Sequence, residues 1–370
     1  MAGEVLRQGA GEVGDLAVVA LTPAGKALAG RLAAAWNEAG GSARVYHPSS
    51  SLGSLVRTLW GRHEGLVFVM AVGIVVRVLA PLLRDKWRDP AVVVVDEGGR
   101  FAVSLLGGHW GGANGLARRV AALLGAVPVV TTATDVQGKT AVDLLARQWG
   151  FLPVPREGVK AVNRALLEGK RLVFYTEWQL PAEGEAPPFD RVRPLREGPG
   201  PGPGNPEEVP VFVTSREVSP LPAAACCLCP PSLAAGIGCR RGVSAGEIEA
   251  ALAEACRRAG RRRESLGVLA THSAKLNERG LREAARSLGV PLFFFTSQIL
   301  QGILDRVPGL RDVEFVRRQM GVGNVCETAA LAAVPEGTLV LPKLKLGRVT
   351  VALAEAGLLW SASGREMRRI

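Results

Sequence analysis

The stretch Leu105-Leu106-Gly107-Gly108-His109-Trp110-Gly111-Gly112-Ala113-Asn114 is the one on which the reading of the chain turns. Its four glycines and one histidine stand between an apolar run, Phe101–Leu106, and a helix-like segment, Leu116–Leu124. Glycine lets a backbone turn where a Cβ would clash and lets a ligand approach the amides closely. Histidine is the side chain suited to exchange protons near neutral pH. An apolar strand, a glycine-rich turn and a helix together describe a site at the carboxyl end of a strand. The same residues also satisfy a plain tight turn, so the flanking sequence has to choose.

Upstream, Leu16–Leu21, the run around Val45 and Leu66–Val72 are apolar strand candidates. Between them, Lys26–Ala39 carries Leu28, Leu32, Ala35 and Trp36 at helical spacing, and Leu52, Leu55, Val56 and Leu59 suit a second helix. Ala91–Val95 and Phe101–Leu106 flank Asp96-Glu97-Gly98-Gly99 and read as a β-hairpin. Downstream, Val127–Val130 is a strand, and Val142, Leu145 and Trp149 mark a further helix. This alternation is the mark of an α/β layer. The strand at Val127 ends in Thr131-Thr132-Ala133-Thr134-Asp135, hydroxyls and a carboxylate that serve a site, a helix cap, or both.

A small unit follows, helix-like over Val159–Leu167 and strand-like over Leu172–Tyr175. Pro181–Pro210 then holds 9 prolines and 5 glycines. Short of backbone donors, that run reads as an exposed loop or linker without regular structure. Val211–Val213 closes the unit as a strand. In the last third, Ala234–Ile237 and Leu266–Ala270 are strands, and Ser244-Ala245-Gly246-Glu247 is a capping-box pattern. Pro291–Phe295 is the next strand, Val325-Cys326-Glu327 precedes an alanine-rich helix, and Thr338–Leu341 and Val349–Ala352 are strands flanking Lys343 and Lys345. The expected fold class is α/β in three parts: an N-terminal α/β region over 14–150, a small middle unit with the Pro/Gly-rich linker over 151–230, and a C-terminal α/β domain over 231–358.

Composition narrows the partners. At 370 residues with 48% hydrophobic and 21% charged, the chain has material for ordinary globular cores. It lacks a run of about 18 apolar residues and a basic-then-apolar N-terminus, so no membrane partner and a cytoplasmic location are expected. The net charge of +11 and pI ≈ 9.9 call for an anionic partner. Only 2 tyrosines and 10 phenylalanines are present for base stacking and no nucleic-acid motif appears, so a small polyanion is expected in place of nucleic acid. Cys226-Cys227-Leu228-Cys229 resembles half of a metal knuckle, but a second pair at ligand spacing is missing; reduced thiols and no protein-bound metal are expected. Neither a Walker lysine loop nor a G-x-G-x-x-G fingerprint follows a strand.

Four blocks, in order, carry a resemblance to the CbiG family of cobalamin biosynthesis, the cobalt-precorrin 5A hydrolases. They are Lys86–Asp96, the Gly108–Asn114 stretch with Thr131–Asp135 downstream of it, Gly236–Gly242, and Gly321–Ala330. This chain departs from the family pattern at Ser273-Ala274-Lys275, at His272 and at Trp110, where a smaller aliphatic residue is usual. The resemblance implies that a δ-lactone on a cobalt tetrapyrrole is opened with water, that the methylated meso carbon leaves as acetaldehyde, and that cobalt-precorrin 5B results. Cobalt then belongs to the substrate and no cofactor is required. The alternative kept open is a non-catalytic binding or escort protein for corrinoid intermediates, and a homodimer is left open as an assembly.

Lactone hydrolysis needs a base for water, donors for the oxyanion and an acid for the departing alkoxide. His109 is the natural base, with Asp135 to orient it, and Gly111 and Gly112 offer unobstructed amides. The bland alternative for His109 is a structural hydrogen bond within the turn. Gly108, Asn114 and Thr132 complete the expected substrate pocket. Arg77, Lys86, Arg240, Arg241, Lys275 and Lys345 are candidates for the substrate's carboxylate arms. Glu327, at a helix start, is either a second acid or base or a complement to the helix dipole.

Overall fold

Ala91-Val92-Val93-Val94-Val95 is buried at every position, as a strand covered on both faces must be. It lies in a computed structural model that describes residues 13–178, 191–195 and 205–357. The chain divides into two compact units, one holding residues up to Gln148 together with 166–168, the other the remainder.

The first unit runs β1 (Asp15–Ala20), α1 (Pro23–Glu38), β2 (Ser42–Tyr46), α2 (Leu52–Leu59), β3 (Gly65–Val69), α3 (Val72–Leu79), β4 (Ala91–Val95), β5 (Phe101–Leu106), α4 (Ala113–Leu124), β6 (Val127–Val129), α5 (Ala133–Val136) and α6 (Val142–Gln148). Its sheet has the order β2-β1-β3-β4-β5-β6. The first four strands are mutually parallel, β5 is antiparallel to β4, and β6 is parallel to β5. The hairpin expected at Asp96–Gly99 is therefore present. The Asp96 carboxylate sets it by accepting from the amides of Gly98, Arg100 and Phe101. Helices α1 and α4 cover one face, where Leu28, Leu32 and Trp36 meet Leu116 and Val120. Val56, Leu59, Val75 and Leu79 of α2 and α3 pack on the other.

The hairpin has a consequence for the site. It reverses β5 and β6, so the turn after β5 lies at the edge where β1, β3 and β4 begin, with Gly107 against Pro90 and Ala91.

The second unit holds two sheets. One has the order β7-β11-β10-β8-β9, built from β7 (Leu152–Val154), β8 (Arg171–Thr176), β9 (Arg191–Pro194), β10 (Glu208–Val213) and β11 (Cys226–Cys229), with α7 (Arg156–Leu167) between β7 and β8 in the chain. Here the expectation of an unstructured run over Pro181–Pro210 is corrected in two places. Arg191–Pro194 pairs with β8 as an edge strand, where a proline is tolerated, and β10 already begins at Glu208. The Gly-Pro repeat of that run, 198–204, lies outside the described residues. Cys226, Cys227 and Cys229 are buried within β11; burial pushes the Cys227 thiol up to about 11.

The other sheet has the order β14-β13-β12-β16-β15. Its elements are β12 (Leu233–Cys239), α8 (Ala245–Arg258), β13 (Leu266–His272), α9 (Arg279–Leu288), β14 (Leu292–Phe295), α10 (Ser297–Arg306), α11 (Glu314–Met320), α12 (Cys326–Ala333), β15 (Thr338–Leu346) and β16 (Val349–Glu355). The capping box at Ser244 and Glu247 is made in both directions. Lys343 and Lys345 lie within β15, not beside it as expected, because the strand continues past Leu341 with its register shifting against β16. Gly236 lets α12 lie directly on β12: a Cβ there would stand 1.8 Å from the Cys326 carbonyl oxygen.

Candidate active site

Strand β5 delivers the chain to the glycine-rich turn and α4 takes it away. The amides of Gly112, Ala113 and Asn114 donate to the carbonyls of His109 (3.0 Å), Gly107 (2.9 Å) and Gly108 (3.1 Å), closing the turn on itself. Gly112 has φ +87°, and a Cβ there would fall 2.0 Å from Nη1 of Arg147. That guanidinium donates to the Trp110 carbonyl at 2.8 Å and so holds the turn from α6. A Cβ on Gly108 would press on the Asn114 amide at 2.9 Å. The glycines thus serve close approach of side chains that organise the turn.

The turn sets His109 between two carboxylates. Its Nε2 is 3.2 Å from Oδ2 of Asp135 and 3.0 Å from the Thr134 hydroxyl, while Nδ1 is 3.4 Å from Oδ1 of Asp143. His109 is 13% exposed and the Asp143 side chain 1%. Both ring nitrogens face carboxylates, which only accept, so the protonated ring donates to both; the neutral tautomer that suits a base keeps Nδ1–H toward the more deeply buried Asp143. In the neutral ring Nε2 then accepts from Thr134; in the protonated ring it donates to Asp135. Burial disfavours the charged ring, but Asp143 and then Asp135 outweigh it and hold the His109 pKa above the ordinary histidine value.

Asp135 is itself tied down from α4. Asn114 Nδ2 donates to its Oδ2 at 2.9 Å, and the Arg118 guanidinium, one turn further along, donates to Oδ1. Against the opposing effect of burial, Arg118 and then His109 hold this carboxyl below the usual carboxylate range. Asn114 is buried and fully engaged, accepting from Ser104 at 2.7 Å and donating to the Thr132 hydroxyl at 3.0 Å. Asn114 and Thr132, both expected in the substrate pocket, are joined to each other within the frame of the site.

The amides require a correction. Gly112 spends its N–H on the His109 carbonyl and is not available to an oxyanion, whereas the Gly111 amide donates to no group among the described residues. Lys86 reaches the same cluster, its ammonium 3.5 Å from Oδ2 of Asp143 and 4.7 Å from the Trp87 ring centre. Arg77 stays exposed on α3, where its guanidinium binds the Gly73 carbonyl at 2.9 Å. The edge at which β1, β3 and β4 end carries a separate apolar cleft of about 600 Å³, lined among others by Leu21, Met70, Ile74, Phe101 and Val103.

The remaining candidates belong to the second unit. Arg240, Arg241 and Lys345 are exposed, and Lys275 pairs with Glu278 at 3.3 Å. Glu327 is buried at the start of α12 with both oxygens occupied, one by the Asn324 side-chain amide and the other by the Lys343 backbone amide at 3.0 Å. It pins α12 to β15, which fits the bland reading of this residue. His272 and Ser297 are 2.9 Å apart and look like a nucleophile pair, but the polarity is wrong. His272 Nδ1 accepts from the Ala274 amide, so Nε2 donates to Ser297, whose hydroxyl donates to the Met320 carbonyl at 2.8 Å.

Three members of the His109 cluster escape the sequence reading, Asp143, Arg118 and Arg147, while Thr134 is read only as one hydroxyl of the Thr131–Asp135 tail. Asp143 and Arg147 are one helical turn apart on α6 and resemble an ordinary solvated pair in sequence. Only the tertiary fold shows that this face of α6 meets the turn.

Three family models match the chain in order. The model for the Cobalamin synthesis G N-terminal region matches residues 54–135, that for the Cobalamin biosynthesis central region 140–230, and that for the Cobalamin synthesis G C-terminus 233–354. A cobalt-precorrin-5A hydrolase of Salmonella typhimurium is 35% identical over 356 residues, covering 92% of this chain and 98% of that protein. One from Priestia megaterium is 32% identical over 374 residues, covering 92% and 95%. Among solved structures, a cobalamin biosynthesis protein G homolog from Sulfolobus solfataricus is 19% identical with a TM-score of 0.40, covering 92% of this chain and 97% of its own. CobE, of the cobalamin (vitamin B12) biosynthetic pathway, is 35% identical with a TM-score of 0.32 and covers 35% of this chain and 93% of its own. The chain belongs to the CbiG family, as do the cobalt-precorrin-5A hydrolases of Salmonella typhimurium and Priestia megaterium to which it is similar.

Proposed function

We propose that this chain is a cobalt-precorrin-5A hydrolase that opens the δ-lactone of a cobalt tetrapyrrole and releases acetaldehyde. The observation that carries the mechanism is the placement of His109 between Asp143 and Asp135. The hydrolase names of relatives at 32% and 35% identity favour catalysis over the escort role.

In the neutral enzyme, Nδ1–H points at Asp143 and the Nε2 lone pair is the base. A water that displaces the Thr134 hydroxyl from Nε2 attacks the lactone carbonyl; its proton passes to Nε2, and the imidazolium so formed is stabilised by Asp135 on one side and Asp143 on the other. The Gly111 amide donates to the developing oxyanion. Collapse of the tetrahedral intermediate breaks the ring C–O bond, and the departing alkoxide takes the proton back from Nε2. The freed hydroxyl on the methylated meso carbon then gives its proton to Nε2 of His109 and becomes the carbonyl of acetaldehyde as the carbon–carbon bond to the macrocycle breaks, the electron pair remaining with the macrocycle.

Asn114, Arg118 and Arg147 act through others: the first two place Asp135 and the third fixes the turn. Cobalt arrives as part of the substrate, and the reaction written here calls on no further cofactor. Among the described residues no helix is long and apolar enough to cross a membrane; we place the enzyme in the cytoplasm and carry the homodimer forward as an assembly to be measured by light scattering. The activity is tested by incubating purified protein with cobalt-precorrin 5A and trapping the aldehyde. Stoichiometric acetaldehyde is expected; tight binding without acetaldehyde would return the escort reading.

A further inference from the structure

Two of the chain's 7 tryptophans flank the His109 cluster, and the frame of the site leaves them unexplained. Trp110 follows His109 directly, and Trp87 meets it with ring centroids 5.3 Å apart and planes at 58°. At that tilt the rings do not cover each other, and both are half-buried, whereas the core tryptophan Trp36 is 1% exposed. Each is anchored through its backbone: the Trp110 carbonyl by Arg147 at 2.8 Å, and the Trp87 amide by the Asp85 carboxylate at 2.8 Å. The pair is therefore a fixed aromatic surface beside a proton-transfer group. The Lys86 ammonium lies over one face of Trp87, 4.7 Å from the ring centre, with its side chain 48% exposed.

A partly exposed indole pair held at its backbone offers π-faces and apolar area to a flat ligand. The exposed ammonium over Trp87 offers a partner for an anionic arm of a ligand resting on the neighbouring indole. A planar conjugated macrocycle fringed with carboxylate arms has both complements. Nucleobases share the flat face, but a nucleotide would also need a phosphate cradle, and the turn's amides at Gly112, Ala113 and Asn114 are already spent on carbonyls.

We propose that Trp87 and Trp110 form the shelf on which the tetrapyrrole macrocycle rests, with Lys86 binding one of its carboxylate arms, so that the lactone is presented to His109. This rests on the hydrolase reading above. It also assigns the aromatic rings a share of affinity distinct from the proton chemistry: the shelf recognises the ring system, and His109 acts on one arm of it.

The test uses the full chain and cobalt coproporphyrin, a stable flat cobalt tetrapyrrole with propionate arms, titrated against intrinsic fluorescence and by calorimetry. Trp110→Ala and Trp87→Ala are each expected to weaken binding about tenfold, and Trp110→Phe, which keeps a flat ring, to restore it to within about threefold. Indole emission should quench on binding, with the quench reduced in Trp110→Phe although binding is kept. With cobalt-precorrin 5A, the alanine variants should raise KM more than they lower kcat. Unfolding midpoints of all variants are compared, so that a variant that fails to fold is replaced by the phenylalanine one. Alanine variants that fold and bind the probe like the parent protein would overturn the shelf while leaving the hydrolase reading intact. If the parent chain binds the probe through the tryptophans but releases no acetaldehyde from cobalt-precorrin 5A, the shelf stands and the hydrolase reading falls.

Discussion

Replacing Asp143 by asparagine removes one negative charge from Nδ1 of His109 and leaves the shape almost unchanged. At 3.4 Å the attraction between imidazolium and carboxylate is about 5 kcal/mol at an effective dielectric of ~20. Two features reduce what the reaction loses. Lys86, 3.5 Å from the other Asp143 oxygen, already compensates part of that charge, and Asp135 still stabilises the ring from Nε2. An asparagine amide turned toward the ring also favours the wrong tautomer, with Nε2 protonated and no base available. We expect kcat for acetaldehyde release to fall about 10²–10³-fold, equivalent to about 2.7–4 kcal/mol, with KM changed little. Because Asp143 helps to raise the His109 pKa, the acid limb of the pH–rate profile should also move to lower pH in Asp143→Asn. The assay is steady-state aldehyde trapping across pH, with affinity followed separately. A variant with kcat within threefold of the parent and an unmoved acid limb would refute the assignment of Asp143 as the residue that orients the base.

Further outcomes follow from the same geometry. Gly112→Ala must hold a left-handed backbone, costing about 1–2 kcal/mol, and displace the Arg147 guanidinium from the Trp110 carbonyl, a charged hydrogen bond worth about 1.5–3 kcal/mol. Chemical denaturation should show a loss of about 3 kcal/mol, and a loss below about 1 kcal/mol would contradict the strained-turn account. His109 has a folded pKa above its unfolded value, so its ion pairs stabilise fully below about pH 6.5 and progressively less as pH rises through the raised value. Asp135 has the opposite sense, contributing above its unfolded value of about 3.8 and losing that contribution as pH falls through its lowered one. The stability gap between the parent and His109→Gln should accordingly be widest near pH 5–6 and shrink toward alkaline pH; a gap that widens with pH would reverse the argument. Glu327→Gln should destabilise the chain by about 1–3 kcal/mol, because it turns a buried acceptor of two donors into a group carrying a donor of its own. Normal stability with lost activity would instead return Glu327 to proton transfer.

Much of the fold is legible from local pattern. Fully apolar runs such as Ala91–Val95 become strands covered on both faces, and Ser244 with Glu247 caps α8 as their spacing predicts. The edge strands were harder to read. Arg191–Pro194 joins a sheet although its surroundings are rich in proline, because an edge position needs donors on one side only. Strand β15 extends through Lys343 and Lys345 since an exposed strand face accepts charge.

For the site, His109 and Asp135 are legible as chemistry-bearing residues at strand ends, and the structure does bring them together. What sequence does not reveal is the reversal of β5 and β6 by the hairpin, which carries the turn to the edge where the parallel strands begin. Nor does it reveal Asp143, whose importance comes from tertiary contact between α6 and the turn. Asn114 is legible as a polar residue beside a glycine turn, but its buried bonds to Ser104, Thr132 and Asp135 come only from the tertiary fold.

The central claim is that lactone opening passes its proton through His109. Single-turnover reaction of cobalt-precorrin 5A with excess enzyme, comparing the parent with His109→Ala, tests it most directly. The account predicts that the variant binds substrate with an affinity close to that of the parent and opens the lactone about 10²–10⁴-fold more slowly. Opening and acetaldehyde release at the parent rate in a folded His109→Ala protein would contradict it.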